Sequence, residues 1–263
     1  MSDDNNHDAY KPAKIALLVE SVGVGKAHLP VMQMFVLAIL AGAFIGFGAA
    51  AYTAVMTGAD ASFGPSRLLG GLVFSLGLIL VIVGGAELFT GNALMIMAAV
   101  ERKITLRRML RSWGIVYLGN FVGAAGLAVV FGFSGLLEGA MGATATAIPE
   151  IKASLLPMEA FIRGALCNML VCLAIWLTFA ARSAAGKILG IFWPISAFVL
   201  LGLEHSVANM YFFHQGWMVG SNVTISDALS NLVWVTLGNI AGGAGGVALA
   251  YRFAFLSARS LKD

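Results

Sequence analysis

Gly85-Ala86-Glu87-Leu88-Phe89-Thr90-Gly91-Asn92-Ala93 places an acid and, five residues on, an amide inside a long apolar run. The chain repeats the arrangement at Gly202-Leu203-Glu204-His205-Ser206-Val207-Ala208-Asn209-Met210. Each copy is followed by Leu-Gly-Asn-x-x-Gly, at Leu118–Gly123 and Leu237–Gly242. An acid at membrane depth is costly and by default functional. The same costly pattern met twice points to a duplicated unit wrapped around a shared pathway.

The surrounding composition supports membrane depth. The 263 residues are 59% hydrophobic and only 11% charged, with a mean hydropathy of +0.89. A soluble domain carries about a quarter charged residues. The net charge of +3 reports topology before it reports a partner. Basic runs interleaved with aromatics are not found, so nucleic-acid binding is set aside. Cys167 and Cys172 fall on different faces of one helix and are not expected to bridge. Neither a metal site nor a cofactor is expected.

About twenty apolar residues cross a bilayer as a helix. Six runs qualify: Val31 to Met56, Leu68 to Val100, Trp113 to Phe133, Met158 to Ala180, Ile188 to Phe213 and Ala228 to Phe253. The stretches Gly58–Pro65, Gly139–Pro157, Ala184–Gly186 and His214–Ser226 carry the breakers expected of linkers. The chain thus divides into an N-terminal segment (1–30), a membrane domain (31–253) and a tail (254–263).

Basic residues set the direction. Lys11, Lys14, Lys26, Arg102, Lys103, Arg107, Arg108, Arg111, Arg182, Lys187, Arg252, Arg259 and Lys262 all fall on one side. Only Arg67, Lys152 and Arg163 fall elsewhere. The positive-inside rule then puts both termini in the cytoplasm. The second run is too long, because 33 residues make a helix of roughly 50 Å against a core of about 30 Å. Thr90, Gly91 and Asn92 are poor helix formers, so an interruption at Glu87–Asn92 is expected, with a matching one at Glu204–Asn209. Three spans per repeat is odd, so the halves insert in opposite senses and two broken helices meet near mid-membrane.

His205 is the sharpest candidate for chemistry, the one histidine of four at membrane depth. It can titrate near neutral pH, or it can tie helices together as a neutral ring; beside a helix break, function is favoured. Glu87 and Glu204 are expected to accept the N–H groups freed at the breaks, and Asn92 and Asn209 to serve the same loops. Asn120 and Asn239 are read as helix-to-helix hydrogen bonds, and Gly42/Gly46 and Gly119/Gly123 as close-packing pairs. Glu159 and Arg163 read as a helix pair. Lys152, in an outer loop, is either a solvated lysine or a charge that concentrates anions at a pore mouth.

The chain resembles the formate/nitrite transporter family. The residues that carry the resemblance are Ala86-Glu87-Leu88-Phe89-Thr90-Gly91, Gly164-Ala165-Leu166-Cys167-Asn168, Gly202 to Met210, and Trp234-Val235-Thr236-Leu237-Gly238-Asn239, within a match from about Lys14 to Tyr251. The resemblance implies an all-α, aquaporin-like fold of six transmembrane helices in two inverted three-helix repeats, the second and fifth broken. It implies a homopentamer in the bilayer, one pore per subunit, passing formate, nitrite or hydrosulfide. Aquaporins carry Asn-Pro-Ala at both breaks and this chain does not, which disfavours water or glycerol. By resemblance His205 is the central histidine, with Thr90 and Asn168 beside it and Lys152 at the pore mouth. Phe74, Leu78, Leu88, Phe89, Val171 and Phe198 would form two constrictions. Lys14 to Lys26 would be an amphipathic helix near the inner mouth.

Greasy constrictions around one histidine do not repay the cost of a bare anion at mid-membrane. The expected mechanism is therefore proton-coupled: the anion is drawn in, protonated by way of His205, crosses as the neutral acid and dissociates beyond. An enzyme would need a nucleophile and base, or several metal ligands, at that depth, and one histidine with two structural acids does not supply them.

Overall fold

The computed structural model describes residues 9–256. His7, Arg259 and Lys262 lie outside them, as does the expected tail from residue 257 on. Among the described residues there are ten helices and no strand. In chain order they are α1 (Pro12–Ala27), α2 (Val31–Met56), α3 (Gly64–Gly84), α4 (Phe89–Val100), α5 (Leu106–Phe133), α6 (Gly139–Ala153), α7 (Pro157–Ala180), α8 (Ala184–Leu200), α9 (Ser206–Met218) and α10 (Ile225–Phe255). Five of these, α2, α3, α5, α7 and α10, are long and apolar enough to cross a membrane; α4 and α8 are shorter apolar helices.

The chain leaves the helix twice in the quoted stretches. α3 stops at Gly84 because Gly85 adopts a left-handed φ of 81°, a conformation that costs glycine little. Gly202 does the same after α8, at φ 68°. The chain re-enters a helix at Phe89 and at Ser206. In each gap the glutamate N–H donates to a neighbouring helix, Glu87 to the Leu37 carbonyl (3.2 Å) and Glu204 to the Arg163 carbonyl (3.3 Å).

Paired glycines set how closely the helices approach. A Cβ on Gly123 would lie 1.9 Å from the Ile39 carbonyl oxygen, and one on Gly242 would lie 1.9 Å from that of Ala165. α5 therefore rides backbone-to-backbone on α2, and α10 on α7, the small-residue packing of membrane bundles.

Several expected boundaries move. α5 begins at Leu106, not Trp113, with the Thr105 hydroxyl accepting the Arg108 N–H. Its three arginines are helical but too polar for a hydropathy window. α9 continues through His214 to Met218, where a linker was expected. Ala184–Gly186 is the first turn of α8, capped by Ser183. The largest difference is α6: Gly139–Ala153 is a helix, with Pro149 buried inside it. Glu159 accepts the Leu156 N–H at the start of α7, so it caps the helix and its expected pairing with Arg163 is not formed.

α1 buries Ile15, Ala16 and Val19 and packs Gly23 on Met95 and Ala98 of α4. Lys103 bonds Glu20 of α1, and Arg252 of α10 pairs with Glu101 at 2.7 Å. α6 lays Pro149 over Gly216 of α9. α1 and α6 thus each lie over a helix that follows a break, and each ends in Lys-Ala.

Candidate functional site

At the first break, Lys26 Nζ lies 2.9 Å from a Glu87 oxygen, while Asn92 Nδ2 donates to the other at 2.8 Å. At the second, Lys152 Nζ lies 3.0 and 3.2 Å from the Glu204 oxygens, and Asn209 Nδ2 donates to one of them at 2.6 Å. The two triads match residue for residue. Lys152 is therefore in the last turn of α6, not a loop, and its charge is compensated. Its side chain is 14% exposed and that of Glu204 is 5%, against 26% and 9% for Lys26 and Glu87, so the second pair is the more enclosed. A buried pair resists loss of one partner because the other charge is then left uncompensated.

The expectation that the carboxylates accept the freed N–H groups is corrected. Their oxygens are taken by lysine and asparagine. The freed N–H groups go to the two Leu-Gly-Asn asparagines. Asn120 Oδ1 accepts the Phe89 N–H at 2.9 Å while its Nδ2 donates to the Ala38 and Glu87 carbonyls. Asn239 Oδ1 accepts the Ser206 N–H at 2.9 Å while its Nδ2 donates to the Gly164 and Glu204 carbonyls. An amide can both donate and accept, as a break in a helix requires; a carboxylate can only accept.

The mirror fails at one position, where Leu88 in the first break answers to His205 in the second. His205 is buried. Its Nδ1 accepts the Ala208 N–H at 3.1 Å, capping α9. The neutral ring must then carry its hydrogen on Nε2, which lies 2.9 Å from Thr90 Oγ1. Phe198 stacks on the imidazole at 6.1 Å between centroids, and Phe74 meets Phe198 edge-on at 5.4 Å. Asn168 does not touch the ring. Its Nδ2 donates to the Thr90 carbonyl (3.1 Å) and the Asn239 carbonyl (2.6 Å), and so fixes the backbone that presents Thr90.

Two cavities enter the bundle from opposite ends. One, of about 290 Å³, is lined by Lys26, Lys187, Glu87 and Leu88 under α1. The other, of about 230 Å³, is lined by Phe74, Lys152, Phe198, Glu204 and His205 beside α6. Along α3, Phe74 lines one cavity and Val81 the other; seven residues are about 10 Å of helix. Leu78 falls between them, as Val171 falls between Arg163 and Ile175 on α7. Both are buried. Phe89 lines neither cavity; its ring packs edge-on against Trp113 and Tyr117 of α5. Among the described residues, no three His, Cys, Asp or Glu side chains converge as metal ligands would.

Sequence reading missed Lys26 as the counterpart of Lys152. The signal was present in the Lys-Ala pair before each first span, but Lys26 had been absorbed into the topology count.

An apolar helical bundle entered from both ends by cavities that stop about 10 Å apart defines a class: a multi-pass membrane protein of transport. A family profile described as Formate/nitrite transporter matches residues 13–253, and the chain belongs to that family. It is 37% identical over 259 residues to the protein named Formate channel FocA of Haemophilus influenzae, covering 90% of this chain and 91% of that one. Among solved structures it is similar to one titled "FNT family ion channel", with a TM-score of 0.87, 31% identity, and coverage of 92% of this chain and 98% of that one. It is also similar to one titled "Pentameric formate channel with formate bound", with a TM-score of 0.75, 36% identity, and coverage of 86% and 98%. These relatives are named as channels, not as enzymes.

Proposed function

We propose that this chain conducts a small monovalent weak-acid anion, formate first, across the inner cell membrane together with a proton. The reading rests on six spans with both termini cytoplasmic. α3 with α4 and α8 with α9 are its broken second and fifth spans, related to each other by inversion. It takes formate and the homopentamer from the similar channels, whose titles name both. Nitrite and hydrosulfide share the size and charge that such a pore admits.

The observation that carries the mechanism is the contact of His205 Nε2 with Thr90 Oγ1, 2.9 Å, between two cavities that each carry cations. Cationic vestibules raise the local anion concentration. Phe74 and Phe198 on one side, Leu88 on the other, and Leu78 and Val171 between them form the barrier; Phe89, turned onto α5, is left out of it. A bare anion there costs several kcal/mol or more, and a neutral acid much less. The anion takes the Thr90 hydroxyl hydrogen, Thr90 takes the one on Nε2, and Nδ1 regains one from the cavity that His205 lines, releasing the Ala208 N–H as it does so. The acid gives its proton back on dissociating beyond the barrier. One anion and one proton move together.

The test is formate uptake into proteoliposomes with a pH dye outside and a voltage probe inside. Alkalinisation outside that matches uptake, with little net current, is expected. Formate entry with a full anion current and no pH change overturns the coupling.

A further inference from the structure

Topology leaves three basic residues away from the thirteen that set the orientation: Arg67, Lys152 and Arg163. All three line the cavity that holds His205. Lys152 is neutralised there by Glu204. Among the described residues, neither arginine has a carboxylate within ion-pair distance. Two uncompensated guanidinium groups therefore flank one half-enclosed space.

The fold does not need both. Arg67 is the fourth residue of α3 and Lys187 the fourth of α8, so one cation at each mouth follows from the duplication. Arg163 has no such counterpart. Its backbone carbonyl accepts the Glu204 N–H as the Leu37 carbonyl accepts that of Glu87, so its mirror is a leucine. The side chain adds nothing to that bond. Arg67 lies over the second break, where a Cβ on Gly202 would come 2.7 Å from its Nη2. The rest of the cavity wall includes Ile148, Ile151, Leu203 and Phe212, with the Tyr52 ring beside them.

A planar guanidinium fork matches a carboxylate with two parallel hydrogen bonds. The aliphatic wall suits a short branched tail. We propose that this vestibule is a binding site for monocarboxylates with an apolar tail, which dock on Arg67 and Arg163, are too wide for the Phe74–Phe198 barrier, and so block the pore from this side. Formate, with no tail, gains only the arginine contact. The blocking arm rests on the transport reading; the binding arm does not.

Pivalate is the probe. In calorimetric titration of the purified full-length protein in micelles, saturable binding is expected. Arg67→Gln and Arg163→Gln each weaken it by roughly tenfold, the size of one lost charge-assisted bond. Arg163→Lys, which keeps charge and loses the fork, falls between wild type and Arg163→Gln. In right-side-out vesicles, external pivalate competes with labelled formate uptake, and in inverted vesicles it does not. Absence of saturable binding, unchanged affinity in both glutamine variants, or equal competition from both sides overturns the proposal. If the glutamine variants do not fold, the lysine variant and the sidedness decide it. Arginine-dependent pivalate binding in a protein that carries no formate leaves the site standing and removes the transport reading.

Discussion

Nδ1 of His205 is committed to the Ala208 N–H, which leaves Nε2 as the end of the ring that meets Thr90. Thr90→Val removes that partner and keeps the shape. Formate flux in proteoliposomes is expected to fall by roughly a hundredfold, the usual worth of a positioned proton-transfer group. Thr90→Ser keeps the hydroxyl and restores most of it. A valine variant with wild-type flux and alkalinisation excludes the relay. The ion pairs make a second prediction. Lys152→Met strands Glu204, and Lys26→Met strands Glu87. Removing one partner of a buried pair costs about 3–5 kcal/mol. The more enclosed Lys152 pair is expected at the upper end of that range and the Lys26 pair at the lower. The double change Lys152→Met with Glu204→Gln recovers much of the loss. Thermal unfolding of the four variants checks the order.

At the scale of elements, the breaks are held by asparagines from helices that follow them. Asn120→Ala or Asn239→Ala leaves one N–H and two carbonyls at the break without that partner. Each unsatisfied buried group costs about 1–3 kcal/mol, so both variants lose several kcal/mol of stability. Asn168→Ala, with two bonds lost, loses less, and unfolding midpoints rank the three. Gly123→Ala and Gly242→Ala each force a Cβ into a facing carbonyl and are expected to lower the yield of folded protein on size exclusion. Much of this was legible in advance: the Glu-x-x-x-x-Asn repeat marked both breaks, and Leu-Gly-Asn-x-x-Gly marked the helices that hold them. The division of labour was not, because a carboxylate and an amide are both plausible caps until distances show which oxygen faces which N–H. α6 was hidden for another reason. Gly139, Pro149 and Pro157 read as breakers, yet Pro149 is accommodated within the helix and buried against Gly216.

Across the whole molecule the duplicated unit is larger than three spans, for α1 and α6 each bring a lysine to the glutamate of a break. The chemistry lives where the duplication is imperfect, at Leu88 against His205 and at Leu37 against Arg163. His205 stood out because only it, of four histidines, lay in an apolar run. Arg163 did not, because an arginine near the end of a span is ordinary until its neighbours are known to leave it uncompensated. Coupled transport has a sign: at fixed formate and internal pH, acidifying the outer solution supplies the co-transported proton and raises initial uptake. Uptake that ignores external pH while following membrane voltage is incompatible with it.

Asn239, on α10, holds the second break, but its backbone oxygen also receives Asn168, which in the same span of atoms grips the carbonyl of Thr90 in the first. The two halves are laced through each other at their centres. Sever the chain between α5 and α6 and the leading fragment keeps its threonine with nothing to aim it, while the trailing fragment keeps its imidazole with nothing to meet. Co-expressed, the fragments would regain activity only by knitting back together; expressed singly, neither is half a pore.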